Sequence, residues 1–235
     1  MAERYFTYGG TASTSYGLYV AETNFFDAPK ANVETIQVPG SNKILMLDEK
    51  TYEPFTLVFK CYVKGNIKSL MPQIRAYLYV NKGYNKIIDS YDPTEFRMGR
   101  FLDAYEVGTS DNKGAAVEIR FLCRPERFLT SGETLTAYAN NASITNPTAY
   151  PSSPLIQITG NGKLYFNNTA YLQIANNANQ TITIDCDAMQ SYTSTTNRNN
   201  DVTVLNGYPK LSGTTTVSYD SGMSNLKIAP RWWRL

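Results

Sequence analysis

Apolar and polar residues alternate along much of the first half of the chain, the pattern of half-buried β-strands. Residues 33–38 alternate, residues 39–42 have the composition of a turn, and residues 43–47 can return as the second strand of a hairpin. Alternation over residues 55–63 places one set of side chains on a single face: Phe55, Leu57, Phe59, Cys61 and Val63. We expect further strands at residues 5–8, 15–20, 96–101 and 116–125, with a turn at residues 111–114.

One segment of the first half has helical periodicity. Its apolar residues recur at spacings of three and four: Ile67, Leu70, Ile74 and Leu78. Ser69 is a candidate N-cap, which would leave Pro72 in the first turn, and residues 81–83 (Asn-Lys-Gly) are a stop signal. The pattern predicts a helix over about residues 69–80.

The second half contains only strand patterns. We expect strands around residues 142–146, 155–159, 163–167, 171–175, 181–185, 202–205 and 214–219, and one at the C-terminal end. Gly160-Asn161-Gly162 predicts a hairpin turn, and the Asn-rich stretch after Tyr192 predicts a long loop. Short strands separated by turn residues indicate a β-sandwich or jelly roll.

The C-terminal stretch carries both tryptophans of the chain. Carrying the alternation of residues 225–229 through Pro230 puts Trp232 on the core face and Trp233 on the opposite face. A buried indole removes roughly 150–250 Å² from water, so we expect this end to be docked as the last strand of a sheet. Trp233 then needs a second surface, either a neighbouring loop, the N-terminal domain or another subunit.

Charge density changes near Gly132, which indicates a domain boundary there. Residues 1–132 hold 16 Lys and Arg with 15 Asp and Glu, whereas residues 133–235 hold 6 and 5. The second part is instead rich in Asn, Thr, Ser and Gly. We therefore predict domains over residues 1–132 and 133–235.

Composition argues against several functional classes. The net charge of +2 is too small for a broad nucleic-acid footprint, and the longest apolar runs are too short to span a bilayer. We see no secretory signal at Met1 and expect a soluble protein made in the cytoplasm. The chain has no histidine, the commonest general base and metal ligand, and its three cysteines are widely spaced. We expect Cys61 and Cys123 to be buried apolar residues.

Two groups of residues are candidates for chemistry. Asp185 and Asp187 flank Cys186 and could be the carboxylates of a glycosidase or calcium ligands. A strand points both the same way rather than across a substrate, so we favour strand-end acids that accept hydrogen bonds from loop amides. Tyr165, Tyr171 and Tyr192 could stack on a sugar, and the same residue types also suit a protein interface.

Several motifs in order resemble the distal tail protein of long non-contractile-tailed phages and their prophages, over nearly the full chain. The matching segments are residues 15–18, 34–40, 119–125, 146–151, 156–162, 182–185, 207–211 and 228–232. The last two are the most specific, because the family commonly ends in a Pro-Arg-Trp-Arg-like tail after a Gly-Phe-Pro-x-Leu-like turn. Ser41-Asn42-Lys43 departs from the family, which usually has Arg and Gly there, and Trp233 is additional.

The resemblance implies a mainly β protein with an N-terminal tail-tube-like β-sandwich carrying one flanking helix, and a C-terminal galectin-like β-sandwich. It also implies a short family member without the inserted arms of longer ones. Six copies would form a ring at the tail tip, as a homo-hexamer whose channel DNA passes through. Its partners would be the major tail (tube) protein and the tail-tip or tail-associated lysin protein, with the tape-measure and receptor-binding proteins as further candidates.

The hypothesis from the sequence is thus a non-enzymatic hub of the phage tail tip, without cofactor, metal or membrane contact. It would be a virion component assembled in the host bacterial cytoplasm. The candidate assembly interface is the turn Val38, Pro39, Gly40, Ser41 and Asn42, and the candidate terminal anchor is Pro230, Arg231, Trp232 and Trp233. Two alternatives stay open: a carbohydrate-binding module that attaches the virion to the host wall through residues 133–235, and a glycosidase using Asp185 and Asp187.

Overall fold

The computed structural model describes residues 3–102, 105–111, 114–175 and 180–235, and these residues are mainly in β-strands. The chain divides into two compact units, of which the first ends at Arg127 and the second begins at Phe128. The predicted mainly β class with one α-helix is confirmed. The prediction that residues 1–132 and 133–235 are separate domains stays a prediction.

The strands of the first unit begin with a short meander and end with a long strand that crosses the unit boundary. They are β1 (Phe6–Tyr8), β2 (Thr11–Ala12), β3 (Leu18–Thr23), β4 (Ala31–Gln37), β5 (Ile44–Tyr52), β6 (Phe55–Lys64), β7 (Asn85–Asp89), β8 (Asp92–Phe101), β9 (Glu106–Asp111) and β10 (Gly114–Leu129). Short 3₁₀ helices occupy Ser13–Tyr16, Thr130–Gly132 and Asn199–Asp201 along the chain. Asn112 and Lys113 of the predicted turn lie outside the described residues.

One sheet contains the strands of the first unit other than β4 and β5, in the order β2-β1-β7-β8-β10-β6-β3, with β9 also paired to β10. β6 alternates buried and exposed positions along its length, so its predicted core face is confirmed. Phe6, Phe59 and Phe121 meet in that core, where the Phe6 and Phe59 rings stack with centroids 4.6 Å apart. Cys61 and Cys123 are buried and free, as expected from the sequence.

The helix α1 (Ile67–Val80) packs its apolar stripe against this core through Ile74, Tyr77 and Leu78. It begins two residues earlier than predicted, because Asn66 rather than Ser69 is the N-cap: the Asn66 side chain accepts the backbone N–H of Ser69. An Asn can cap as well as a Ser, so composition could not separate them. No helix among the described residues is long and apolar enough to cross a membrane.

The strands of the second unit are short and separated by turns. They are β11 (Thr136–Ala137), β12 (Ala142–Thr145), β13 (Leu155–Gly160), β14 (Gly162–Phe166), β15 (Thr169–Ile174), β16 (Thr181–Asp185), β17 (Gln190–Thr193), β18 (Thr196–Asn197), β19 (Val202–Val204), β20 (Thr214–Tyr219), β21 (Met223–Ala229) and β22 (Trp233–Arg234). Every strand predicted for this half is present. The long loop predicted after Tyr192 is wrong, since β18 and the last 3₁₀ helix lie within it.

Two antiparallel sheets form a sandwich in the second unit, with orders β11-β21-β13-β16-β17-β18 and β12-β20-β14-β15-β19. Their inner faces share one core that includes Ile156, Ile158, Leu164, Ile184 and Val217, each fully buried. The β-sandwich predicted for this half is confirmed.

The predicted hairpin at Gly160-Asn161-Gly162 is wrong, because β13 and β14 belong to different sheets of the sandwich. The turn carries the chain from one sheet to the other. Gly160 has a φ of 98°, and a Cβ built on it lies 2.2 Å from the carbonyl oxygen of Gly222. Glycine is therefore required both by the backbone conformation and by the close approach of the 222–223 backbone.

We predict that Gly160→Ala lowers the free energy of unfolding by several kcal/mol, because the new methyl group collides with backbone that cannot rotate away. Gly207→Ala is the matched control: its φ is 76°, but a Cβ there meets no heavy atom of the described residues within 4 Å. It should lose only roughly 1–2 kcal/mol from the left-handed backbone. Denaturant unfolding of both variants measures the difference, and equal losses would contradict the steric explanation.

Candidate assembly interface and terminal anchor

The candidate assembly residues lie at the tip of a two-stranded arm formed by β4, β5 and the turn between them. Among the described strands, β4 and β5 pair only with each other, with Ile36 opposite Leu45 and Gln37 opposite Ile44. An isolated two-stranded hairpin is marginally stable in water. The arm therefore lacks the second layer that the sheets of both units possess.

The turn Val38, Pro39, Gly40, Ser41 and Asn42 has the geometry that its composition predicts. Ser41 N–H donates to the Val38 carbonyl at 3.1 Å, and Gly40 has a φ of 75° directly after Pro39. Pro and Gly at these positions are the preferred residues of a type II turn. The turn holds β4 and β5 in register, and whether it forms an interface stays a prediction.

The most exposed apolar surface of the arm lies on its strands rather than at its turn. Seven apolar side chains are exposed by 39 to 70%: Val33, Ile36, Val38, Ile44, Leu45, Met46 and Leu47. The sequence analysis predicted the interface at the turn and did not single out residues 44–47 as a candidate surface. The sequence does show this feature, because an uninterrupted apolar run such as residues 44–47 puts apolar side chains on both faces of a ribbon.

The two faces of the arm differ in character. Residues paired across strands share a face, so Ile36 and Leu45 lie together with Leu47, which is opposite Glu34. The other face carries Ile44 opposite Gln37 and Met46 opposite Thr35, so each apolar side chain there has a polar neighbour. The first face is the more continuous apolar surface and the better candidate for a contact with another protein.

Hydrogen bonds close the base of the arm. Glu53 N–H donates to the Lys30 carbonyl at 2.8 Å, and the Lys30 ammonium lies 2.7 Å from a Glu53 carboxylate oxygen. Both side chains are largely exposed, so the backbone bond contributes more to this closure than the ion pair does.

The candidate terminal anchor, Pro230 to Trp233, is docked in the second unit. Trp232 is 6% exposed and belongs to the sandwich core, as predicted. The terminal strand does not continue through Pro230 as expected: β21 ends at Ala229, and Arg231 takes a φ of 56°. Arg231 N–H donates to the Gly132 carbonyl, and Leu129 N–H donates to the Trp232 carbonyl, both at 2.8 Å.

Arg231 holds the anchor through a bidentate ion pair with Asp185. Its two terminal nitrogens lie 2.7 and 2.8 Å from the two carboxylate oxygens. Burial by itself raises the pKa of Asp185, but hydrogen bonds from Arg231 and from the Ala188 and Asp187 amides outweigh it, so the pKa lies below its ordinary value. Asp185 is thus a structural partner of the terminal arginine, a role that sequence reasoning missed because the two residues are distant in the chain.

Trp233 lies against a neighbouring loop, one of the three surfaces expected for it. Its ring centroid is 4.6 Å from that of Tyr150, and its indole N–H donates to the Pro151 carbonyl at 3.0 Å. A half-exposed indole with its N–H satisfied adds apolar contact without leaving a polar group unpaired.

The residues considered for other chemistry are not brought together. Asp185 is committed to Arg231, whereas Asp187 is exposed. Tyr165 donates its hydroxyl to Asp220 and Tyr171 packs edge-on against Phe166, both on one sheet, while Tyr192 lies on the other. Among the described residues there is no group of three or more His, Cys, Asp or Glu that could hold a metal ion.

We predict that Asp185→Asn destabilises the protein by roughly 1–3 kcal/mol at neutral pH, because a partly buried arginine loses its counter-ion. The folded-state pKa is depressed, so the pair stabilises fully above the unfolded pKa of about 3.9 and this contribution is lost as pH falls through the folded value. The difference between wild type and variant should therefore shrink below about pH 4. Unfolding curves across pH measure it.

Asp187→Asn is the matched control, because this carboxylate is exposed and is not part of the bidentate pair. Its effect should be smaller than that of Asp185→Asn, because Asp187 acts on Arg231 only through charge and not through the bidentate hydrogen bonds. A difference between wild type and Asp185→Asn that stays constant down to pH 2 would contradict the assigned role of the carboxylate.

A solved structure has the same fold over the whole chain: SPP1 Dit (gp 19.1), described as a paradigm of the hub adsorption apparatus in phages that infect Gram-positive bacteria. The match has a TM-score of 0.77, covers 100% of both chains and has 14% sequence identity. No family model and no curated protein matches this chain. The resemblance to phage distal tail proteins is therefore confirmed at the level of the fold, and the chain has the fold of a phage hub protein.

Proposed function

We propose that this protein is a non-enzymatic structural hub of a phage tail tip, in which six copies form a closed ring. The observation that carries the proposal is the full-length match of both units to the fold of a phage hub protein. The ring would join the tail tube on one side to the tail-tip or tail-associated lysin protein on the other. Tape-measure or receptor-binding proteins would be further neighbours, and DNA would pass only through the channel.

Such a ring would be a virion component assembled in the host bacterial cytoplasm. Its function is carried by surfaces rather than by a reactive group. In keeping with this role, Asp185 serves a structural ion pair and the Cys61 and Cys123 thiols are buried, with burial raising the pKa of each to about 12.

The arm supplies the kind of contact that a ring requires. Closed rings use heterologous contacts, in which one surface of a subunit meets a different surface of the next. A protruding ribbon with exposed Ile36, Leu45 and Leu47 suits one half of such a contact, with a neighbouring copy or the adjacent tube ring as the other half. Full burial of one such side chain is worth roughly 1.5–3 kcal/mol, so a few of them contribute substantially to association.

We predict that the double variant Ile36→Asp/Leu45→Asp abolishes ring formation while the fold persists, because two charges replace the continuous apolar face of the arm. The matched control is Thr35→Asp/Gln37→Asp, which adds the same charge to the other face of the same strand pair. It should assemble much more like the wild type. Sedimentation velocity and negative-stain electron microscopy measure assembly, and circular dichroism melts check that both variants fold.

The wild-type protein should form rings at high concentration or together with its tail-tube and tail-tip neighbours. A strictly monomeric species under both conditions, with no ring by microscopy, would contradict the proposed hub. Equal loss of assembly in both double variants would instead contradict the choice of the Ile36 and Leu45 face as the contact.

A further inference from the structure

We infer that Arg97 is the positioning residue that fixes the direction in which the arm leaves the sheet of the first unit. The inference deepens the proposed function, since an arm that makes an assembly contact must be held at a defined angle. It is carried by contacts that one buried side chain makes with both chain segments at the root of the arm and with a central strand.

Arg97 lies on β8 and its side chain is fully buried. Its guanidinium donates to the Phe25 carbonyl from Nε at 3.2 Å and from Nη2 at 3.0 Å, and Nη2 also donates to the Asp27 carbonyl at 2.8 Å. Phe25 and Asp27 belong to the segment between β3 and β4, through which the chain enters the arm. Three hydrogen bonds from one side chain thus hold the incoming root.

The same guanidinium contacts the outgoing root and the central strand. Its carbon lies 4.0 Å from the ring centroid of Phe55, the first residue of β6 after the arm. Its Nη1 donates to the Pro125 carbonyl of β10 at 3.2 Å. One side chain therefore links the segment before the arm, the segment after the arm and the sheet on which both rest.

An apolar residue could fill this volume but could not make these contacts. Among the described residues no carboxylate forms an ion pair with Arg97. Glu95 and Asp27 favour its charge only from a longer distance, so its burial is costly. Burial lowers the pKa of Arg97 to about 10, so the group stays charged at neutral pH. Several backbone carbonyls converge on the guanidinium, and its planar set of N–H donors can bond to all of them at once.

A second side chain supports the incoming root. The Asn24 amide donates to the Thr56 carbonyl at 3.1 Å, and its oxygen accepts the Val58 N–H at 2.8 Å. Asn24 thereby binds the edge of β6, whereas Arg97 is the group that reaches both roots and β10. The two side chains together leave the root little freedom to rotate.

Arm length makes the angle at the root important. β5 has nine residues, so the arm is about 30 Å long at strand rise. A rotation of about 10° at the root displaces the tip by about 5 Å, more than a packed apolar contact tolerates. Loss of Arg97 should therefore scatter the arm over many directions without unfolding the sheet.

Distances between two spin labels, measured by double electron–electron resonance, test this. One label is placed at the arm tip by Asn42→Cys and the other on the helix by Arg75→Cys, both exposed positions. The native cysteines are buried, and burial raises their pKa values to about 12, so they should not take the label. Labelled protein is diluted into excess unlabelled protein, so that only distances within one chain are seen.

Arg97→Met should broaden the distance distribution roughly twofold, while Arg97→Lys, which keeps the charge but loses the fork, should broaden it less. Ile119→Ala is the matched control, because Ile119 on β10 is as fully buried as Arg97 and belongs to the apolar core of the first unit. It should lower the thermal midpoint and leave the distribution narrow.

An unchanged distribution in folded Arg97→Met would overturn the inference, as would equal broadening in Ile119→Ala. If Arg97→Met does not fold, Arg97→Lys decides in the same way. The distances report the arm within one chain whether or not rings form. A narrow wild-type distribution that depends on Arg97, in a protein that never assembles, would therefore contradict the proposed hub and support the positioning role.

Discussion

A two-stranded ribbon cannot bury its own apolar side chains. The apolar side chains of the arm therefore stay exposed unless another surface covers them. Every other sheet of the described structure has a core against which its inner face packs. The arm has none, yet it carries Ile36, Leu45 and Met46 exposed to solvent. Apolar surface of this extent is what a contact with another protein would cover. The proposed hub role would give this exposed surface a partner.

One arginine contacts the root of the arm and another contacts the C-terminal anchor, and the two differ in the chemistry of their partners. In the first unit, Arg97 is fully buried and is satisfied by backbone carbonyls and aromatic rings. In the second unit, Arg231 keeps part of its surface in water and pairs with the carboxylate of Asp185. A carboxylate partner anchors a chain end strongly but makes the bond sensitive to acid. Carbonyl partners join several backbone segments at once, which is what the root of a long arm requires.

Local pattern was sufficient to predict most elements of the fold. Side-chain alternation depends only on neighbouring residues, so β6, the hairpin of the arm and the strands of the sandwich could be read from the chain. The spacing of Ile74 and Leu78 indicated α1 for the same reason. The ordered motifs that resemble distal tail proteins predicted the fold that the structural comparison confirms. The apolar character of the indole predicted that Trp232 lies in a core, although the predicted continuation of its strand through Pro230 was wrong.

The sequence by itself therefore determined most of the strands, the helix and the buried face of the clearest elements, because these depend on contacts along a few residues. Tertiary structure alone decided how the strands are assigned to sheets, as at Gly160, where β13 and β14 separate into two layers. It also decided that Asp185 meets Arg231 and that Arg97 touches both roots of the arm. Those contacts join residues far apart in the chain, and no local periodicity encodes a partner that only the packing of whole sheets brings within bonding distance.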